Sequence, residues 1–215
     1  MTKDEAIAQI KQLLSFRTDL ATSVPVTLAH AQAKMEDEWP RPDIYPFFLK
    51  TEEATSATVA SEQRVPLPTG WLADWEEGGL YITDSAGAEH ELIKNDYDAL
   101  KTAYREYDPT LPASFATDGL YYRLFPTPDA VYPLRQIFYK RDTGIASLAG
   151  SGTNKWLTHS PWILIGKTAV LLGIGLTHKN LTLAQGMMND SLKALIERSI
   201  WIQTTNRQYA MGETL

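Results

Sequence analysis

The sequence predicts an α+β fold, a helical body of two N-terminal and two long C-terminal helices with a small β-rich module inserted between them. Three observations predict it. Apolar residues recur at helical spacing near both ends of the chain. Between those ends, prolines at 46, 66, 68, 109, 112, 126, 128 and 133 separate short β-favouring runs. The stretch 162–176 is almost uninterruptedly apolar, broken by Lys167, and is too apolar for an ordinary surface helix.

The chain opens with Thr2 and Glu5, the S/T-x-x-E pattern whose side chains satisfy the first free amides of a helix. Ile7, Ile10, Leu13 and Leu14 then share one face over 2–17. A second helix starts at Ser23, with Pro25 in its first turn, and carries Leu28, Ala31 and Met35. It stops before Trp39, because Pro40 and Pro42 forbid continuation. In the insert, 54–60 reads as a strand, and 79–83 with 89–93 as a hairpin around 84–87. Asn95 is the expected cap of a helix reaching Glu106, with Tyr97, Leu100 and Tyr104 at helical spacing. A second hairpin is expected from 119–125 and 131–140 around 126–129, where Pro133 suggests a sheet edge or a bulge.

Residues 142–153 are small, polar and glycine-rich, and read as a flexible connector. Ser160 and Pro161 then make a helix start, a hydroxyl cap followed by proline at the first helical position. After a break at 177–180, Leu181, Ala184, Met188, Leu192, Leu195, Ser199 and Ile202 step by three or four along a last helix. The divisions are therefore 1–42 with 154–207 as the helical body, 43–141 as the β-rich module, 142–153 as connector and 208–215 as a polar tail. The first two helices are too short and too few to bury a core without the last two.

Composition narrows the function. The 215 residues carry 20 Lys and Arg against 26 Asp and Glu, a net charge of -6. That argues against a strongly basic nucleic-acid binder, whose affinity comes from neutralising phosphates. Without cysteine the chain has no disulfide, thiolate nucleophile or cysteine-based zinc site. The charged start lacks the apolar core of a secretory signal. The run 162–176 falls short of the roughly 20 residues that cross a bilayer. A soluble chain of a reducing compartment, without a membrane partner, is expected.

The tempting motifs have simpler explanations. Gly166, Lys167 and Thr168 resemble the end of a phosphate-binding loop, but the loop's first glycine position is Pro161 and the run continues as a helix. Gly173 and Gly175 lack the third glycine of a dinucleotide fingerprint and suit close helix packing. His90 and Glu91 begin like a zinc-peptidase helix, yet Lys94 occupies the second histidine position. His30, His90, His159 and His178 are scattered over different elements and suit surface or capping roles. The acidic runs Glu36, Asp37, Glu38 and Asp74, Glu76, Glu77 read as solvated faces. Trp71 with Trp75, and Trp156 with Trp162, suit packing more than base or sugar stacking. No catalytic, metal or cofactor constellation emerges, so a non-enzyme without cofactor is expected. The alternative is a small-ligand-binding domain or enzyme with its cleft at Trp71, Trp75, Glu76 and Glu77.

Three segments, taken in order, carry a family resemblance. They are VPLPTGWL at 65–72, LYYRLFPTP at 120–128 and NKWLTHSPWIL at 154–164, with the aromatic strand at Ile137, Phe138 and Tyr139 between the last two. Across about 1–207 this layout resembles the head-to-tail adaptor (connector, or head completion) proteins of tailed bacteriophages. One departure is Trp162, where that family often has an acidic residue. The resemblance implies a homo-oligomeric ring, a dodecamer, docked under the portal protein. It would extend the channel for passing double-stranded DNA without sequence-specific contacts and carry tail or neck proteins. It also implies a place in the virion neck, after synthesis in the host cytoplasm. With it, the apolar C-terminal hairpin becomes the expected interface, through Trp156, Trp162, Ile165, Leu172, Met188, Leu192, Leu195, Trp201, Arg207 and Tyr209.

Overall fold

The computed structural model describes residues 1–14, 18–20, 22–41, 43–75, 78–173 and 180–212, apart from the side chains of 18, 55, 180 and 206–212. In chain order its elements are α1 (Lys3–Leu13), α2 (Ser23–Asp37), a 3-10 turn (Phe47–Leu49), β1 (Lys50–Ala57), β2 (Arg64–Pro66), β3 (Trp71–Asp74), β4 (Leu80–Thr83), β5 (Glu89–Glu91), β6 (Ile93–Lys94) and α3 (Tyr97–Ala103). Then follow β7 (Ser114–Asp118), β8 (Tyr121–Phe125), β9 (Pro133–Lys140), α4 (Lys155–His159), α5 (Pro161–Gly173) and α6 (Asn180–Gly212). The fold is α+β, and the chain divides into two compact units, Met1–Leu49 with Arg141–Leu215, and Lys50–Lys140.

The helical unit begins with the capping box: Glu5 N donates to Thr2 Oγ1, and Thr2 N donates to the Glu5 carboxylate. Ala6, Ile10 and Leu14 are its buried stripe, and Val24, Leu28, Ala31 and Met35 are that of α2. The segment 43–49, placed in the β-rich module by its prolines, belongs to this unit. Phe48 and Leu49 are buried here, and the Phe48 ring meets Trp156 edge-on at 5.2 Å.

The glycine-rich stretch 142–153 is not a loose connector. Ile145 is fully buried, and the amides of Lys3 and Asp4 donate to the carbonyls of Gly152 and Gly150. At Gly150 a Cβ would stand 2.2 Å from Asp4 Oδ2, so glycine there serves close approach, not freedom. The last helix likewise continues through Gly212, well past Ile202, into what the sequence reads as a tail.

The two acidic runs suggest solvated faces, yet among the described residues each includes a buried carboxylate. In the helical unit it is Glu36, 5% exposed. Its Oε1 accepts from Trp156 Nε1 at 2.8 Å and from Gln32 Nε2 at 3.0 Å. Gln32 Oε1 in turn accepts from Ile145 N and Asn154 Nδ2, and Asn154 Oδ1 caps α4 by accepting from Leu157 N. This network ties α2 to the stretch before α4. Burial pushes the Glu36 carboxyl above its ordinary 4.5, against the hydrogen bonds of Gln32 and Trp156. Below that value the carboxyl is protonated in folded and unfolded chains alike. As pH rises through it, the unfolded chain ionises first and folding loses stability. Asp142 N also donates to Glu36 Oε1, and Arg141 lies 3.8 Å from Oε2; Glu36→Gln keeps an acceptor for the three hydrogen-bond donors and removes the charge. Its stability relative to wild type is expected to rise with pH from about 4.5 upward. Denaturant unfolding across pH measures this, and a pH-independent difference would sink the idea.

The β-rich unit contains two sheets. In the first, β9 is central: β1 pairs along one edge, while β4 and β3 pair with successive parts of the strand. The second runs β2-β8-β7-β6. The hairpin β4–β5 forms around 84–87, with Gly87 at φ 84. The expected second hairpin does not form, because β8 and β9 lie in different sheets and β8 turns back on β7 at Gly119. Pro133 is the first residue of a central strand, a position where its missing N–H is tolerated. The cap of α3 is Asp96, not Asn95, and that helix ends at Ala103. Val65, Leu80, Ile82, Leu92, Phe115 and Leu124 fill the core of this unit.

Candidate functional site

The C-terminal helices were the expected site, and their packing sorts its residues. α5 packs against α1, α2, α4 and α6. Ile163, Leu164, Ile165 and Ala169 are fully buried. The helix is apolar on most sides because its own chain surrounds it, so its hydrophobicity does not mark a free subunit surface. Gly166 sits where α6 approaches closely: a Cβ there would lie 2.7 Å from the Ala184 carbonyl oxygen. Glycine in a helix costs about 1 kcal/mol relative to alanine, and close approach offsets it here.

Three proposed interface residues are therefore internal. Trp156 and Ile165 are fully buried, and Leu195 faces the interior of the helical unit. Trp162, Leu172, Met188 and Leu192 are half-buried. Arg207 and Tyr209 fall on the last turns of α6, and their side chains lie outside the described residues. Trp201 is different, being 67% exposed.

Around α6 the apolar residues form one inward face and two flanks. Ala184, Leu195 and Ser199 point inward, the last accepting from Phe47 N at 3.3 Å. On one flank Leu192, Ile196 and Ile200 repeat every four residues and line a shallow groove with Arg41. On the other, Leu183, Ala194 and Trp201 are exposed. At about 100° per residue, Ile200 and Trp201 face clearly different directions. The sequence stripe identified the inward face and missed this division.

The alternative cleft fares differently. Glu76 and Glu77 lie outside the described residues. Lys50 Nζ stands 3.6 Å from the centre of the Trp75 ring, and Trp71 Nε1 donates to Asp74 Oδ1 at 3.1 Å. Asp74 is the buried member of its acidic run, its side chain 4% exposed. Its carboxylate also accepts from Lys94 Nζ at 2.6 Å, Thr117 Oγ1 at 2.6 Å and Tyr122 OH at 3.3 Å. Those donors stand on β6, β7 and β8, so one carboxylate of the first sheet clasps three strands of the second. Burial first, then the Asp74 charge, pushes the Tyr122 hydroxyl up, which keeps it a donor. A carboxylate filled by four donors has a structural occupation.

The remaining histidines are dispersed. His90 Nε2 lies 2.9 Å from Asp84 Oδ2 at the β4–β5 turn, and His178 falls outside the described residues. Among the described residues no three His, Cys, Asp or Glu side chains are grouped to hold a metal ion. No described helix is long and apolar enough to cross a membrane. No protein-family model and no curated protein matches the chain.

Proposed function

We propose that the chain is the subunit of a bacteriophage head-to-tail adaptor. In this reading it forms a homo-oligomeric ring beneath the portal, extends the DNA channel and offers a platform to tail components. The observation that carries the reading is the exposed Trp201 on a helix of 33 residues. Exposed tryptophan is costly to leave in water and is enriched at the centres of interfaces.

The two flanks of α6 support a ring over a two-fold dimer. A closed ring needs a heterologous contact, in which one surface meets a different one on the next subunit. The Trp201 flank and the Ile200 flank provide two such unlike surfaces on one helix. The order of the three family-like segments supports the same reading, and a net charge of -6 suits a conduit that must not grip DNA. The work of such a subunit is binding and shape, with no chemical step and no cofactor.

Trp201→Glu tests it. The side chain is exposed, so the melting temperature is expected to stay near that of wild type, within about 0.5 kcal/mol of stability. Assembly is expected to fail, since an interface tryptophan contributes about 2 kcal/mol or more per contact and the contact repeats around a ring. Sedimentation of the variant with a portal protein would show it. A variant that assembles like wild type would remove Trp201 from the interface.

A further inference from the structure

Where α4 meets α5 in the helical unit there is a cleft of about 200 Å³ that the adaptor reading leaves unused. Phe47, Trp162 and Leu195 form its apolar wall, and His159, Ser160 and Arg198 its polar one. Ser160 is expected to cap α5 through its hydroxyl, but among the described residues it does so only through its backbone. The backbone carbonyl of Ser160 accepts from Ile163 N, and its hydroxyl makes no hydrogen bond among the described residues. Yet the residue is only 8% exposed. Its hydroxyl, on a residue that lines the cleft, is free to donate to a group bound there.

The charges agree in sign. Arg198 has no carboxylate partner among the described residues, and its guanidinium lies over the Phe47 ring at 4.7 Å. The His159 ring stacks on Phe48 at 5.2 Å. Burial, with the charges of Arg198 and Lys155, holds that imidazole below its ordinary 6.5, and Asp142 opposes them. The amino end of α5, a helix of 13 residues, adds its partial positive charge beside Ser160.

We infer that this cleft is a binding site for a carboxylate carried on a small apolar group. Arg198 presents a planar fork that matches one carboxylate, and the Ser160 hydroxyl donates from the wall behind it. The apolar group lies against Phe47, Trp162 and Leu195. A single arginine beside a largely apolar wall suits a monoanion better than a phosphate dianion. The volume holds one side-chain-sized group, below the roughly 300 Å³ at which pockets for drug-sized ligands begin. A free branched-chain acid and a peptide-borne carboxylate share this chemistry.

The test is calorimetric titration of the full-length chain with N-acetyl-L-leucine, its neutral amide, 4-methylpentanoate and inorganic phosphate. N-acetyl-L-leucine is expected to bind saturably, and the amide and phosphate at least about tenfold more weakly. If it exceeds 4-methylpentanoate the source is peptide-borne, and if the two are equal it is a free acid. Arg198→Gln is expected to weaken binding about tenfold or more, and Ser160→Ala several-fold with no loss of thermal stability. No binding up to about 10 mM, equal binding of the amide, preference for phosphate, or unchanged affinity in Arg198→Gln overturns the proposal. A stability loss in Ser160→Ala with affinity unchanged would also overturn it, since the hydroxyl would then serve the fold.

Discussion

Leu195→Asp is expected to leave the helical unit unfolded at room temperature. Leu195 is 4% exposed on the inward face of α6, the face that packs on α5. Removing a buried leucine side chain costs about 2–5 kcal/mol through lost transfer energy and the cavity left behind. The carboxylate adds the several kcal/mol of an unpaired buried charge. A whole domain holds only about 5–15 kcal/mol. Leu195→Met keeps volume and polarity and is expected to cost under about 1.5 kcal/mol. Thermal unfolding followed by circular dichroism compares the two. A Leu195→Asp chain melting near wild type would mean that α6 does not pack on α5 through this face.

Asp74→Ala carries the second large effect, in the β-rich unit. The substitution strands Lys94, Thr117, Tyr122 and Trp71, donors that converge on one carboxylate. Breaking a buried, charge-paired network by removing one partner costs about 3–5 kcal/mol. Asp74→Asn retains one acceptor oxygen and is expected to lose less. The denaturant midpoint for this unit, followed through tryptophan fluorescence, is the measurement. A catalytic carboxylate commonly costs stability to keep, so its replacement would leave the midpoint unchanged or raise it. That result would reopen the Trp71 and Trp75 region as a site.

The fold class was legible because helical and strand periodicities occupy different parts of the chain. The capping box of Thr2 and Glu5 and the stripes of α1, α2 and α6 could be read from spacing alone. The β4–β5 hairpin was legible too, but the partner of β8 was not, since the turn chemistry around Pro126 and Pro128 is the same whether the chain reverses or crosses to another sheet. The connector was misread because small residues signal close approach as well as freedom, and Gly150 against Asp4 is the former. Glu36 was within reach: 28, 32 and 36 step by four, which puts Gln32 and Glu36 on the buried stripe of Leu28. Asp74 had no such signal, because its partners come from strands joined only in three dimensions. Most of the expected interface residues are apolar, and apolarity marks the core as readily as a contact. Exposure then separates Trp201 from Trp156.

Mass by light scattering, for the chain alone and mixed with a portal protein, tests the central proposal most directly. The adaptor reading predicts a ring near twelve times the 24.1 kDa chain, either free or formed on the portal. A stable monomer that never joins a portal ring would contradict it.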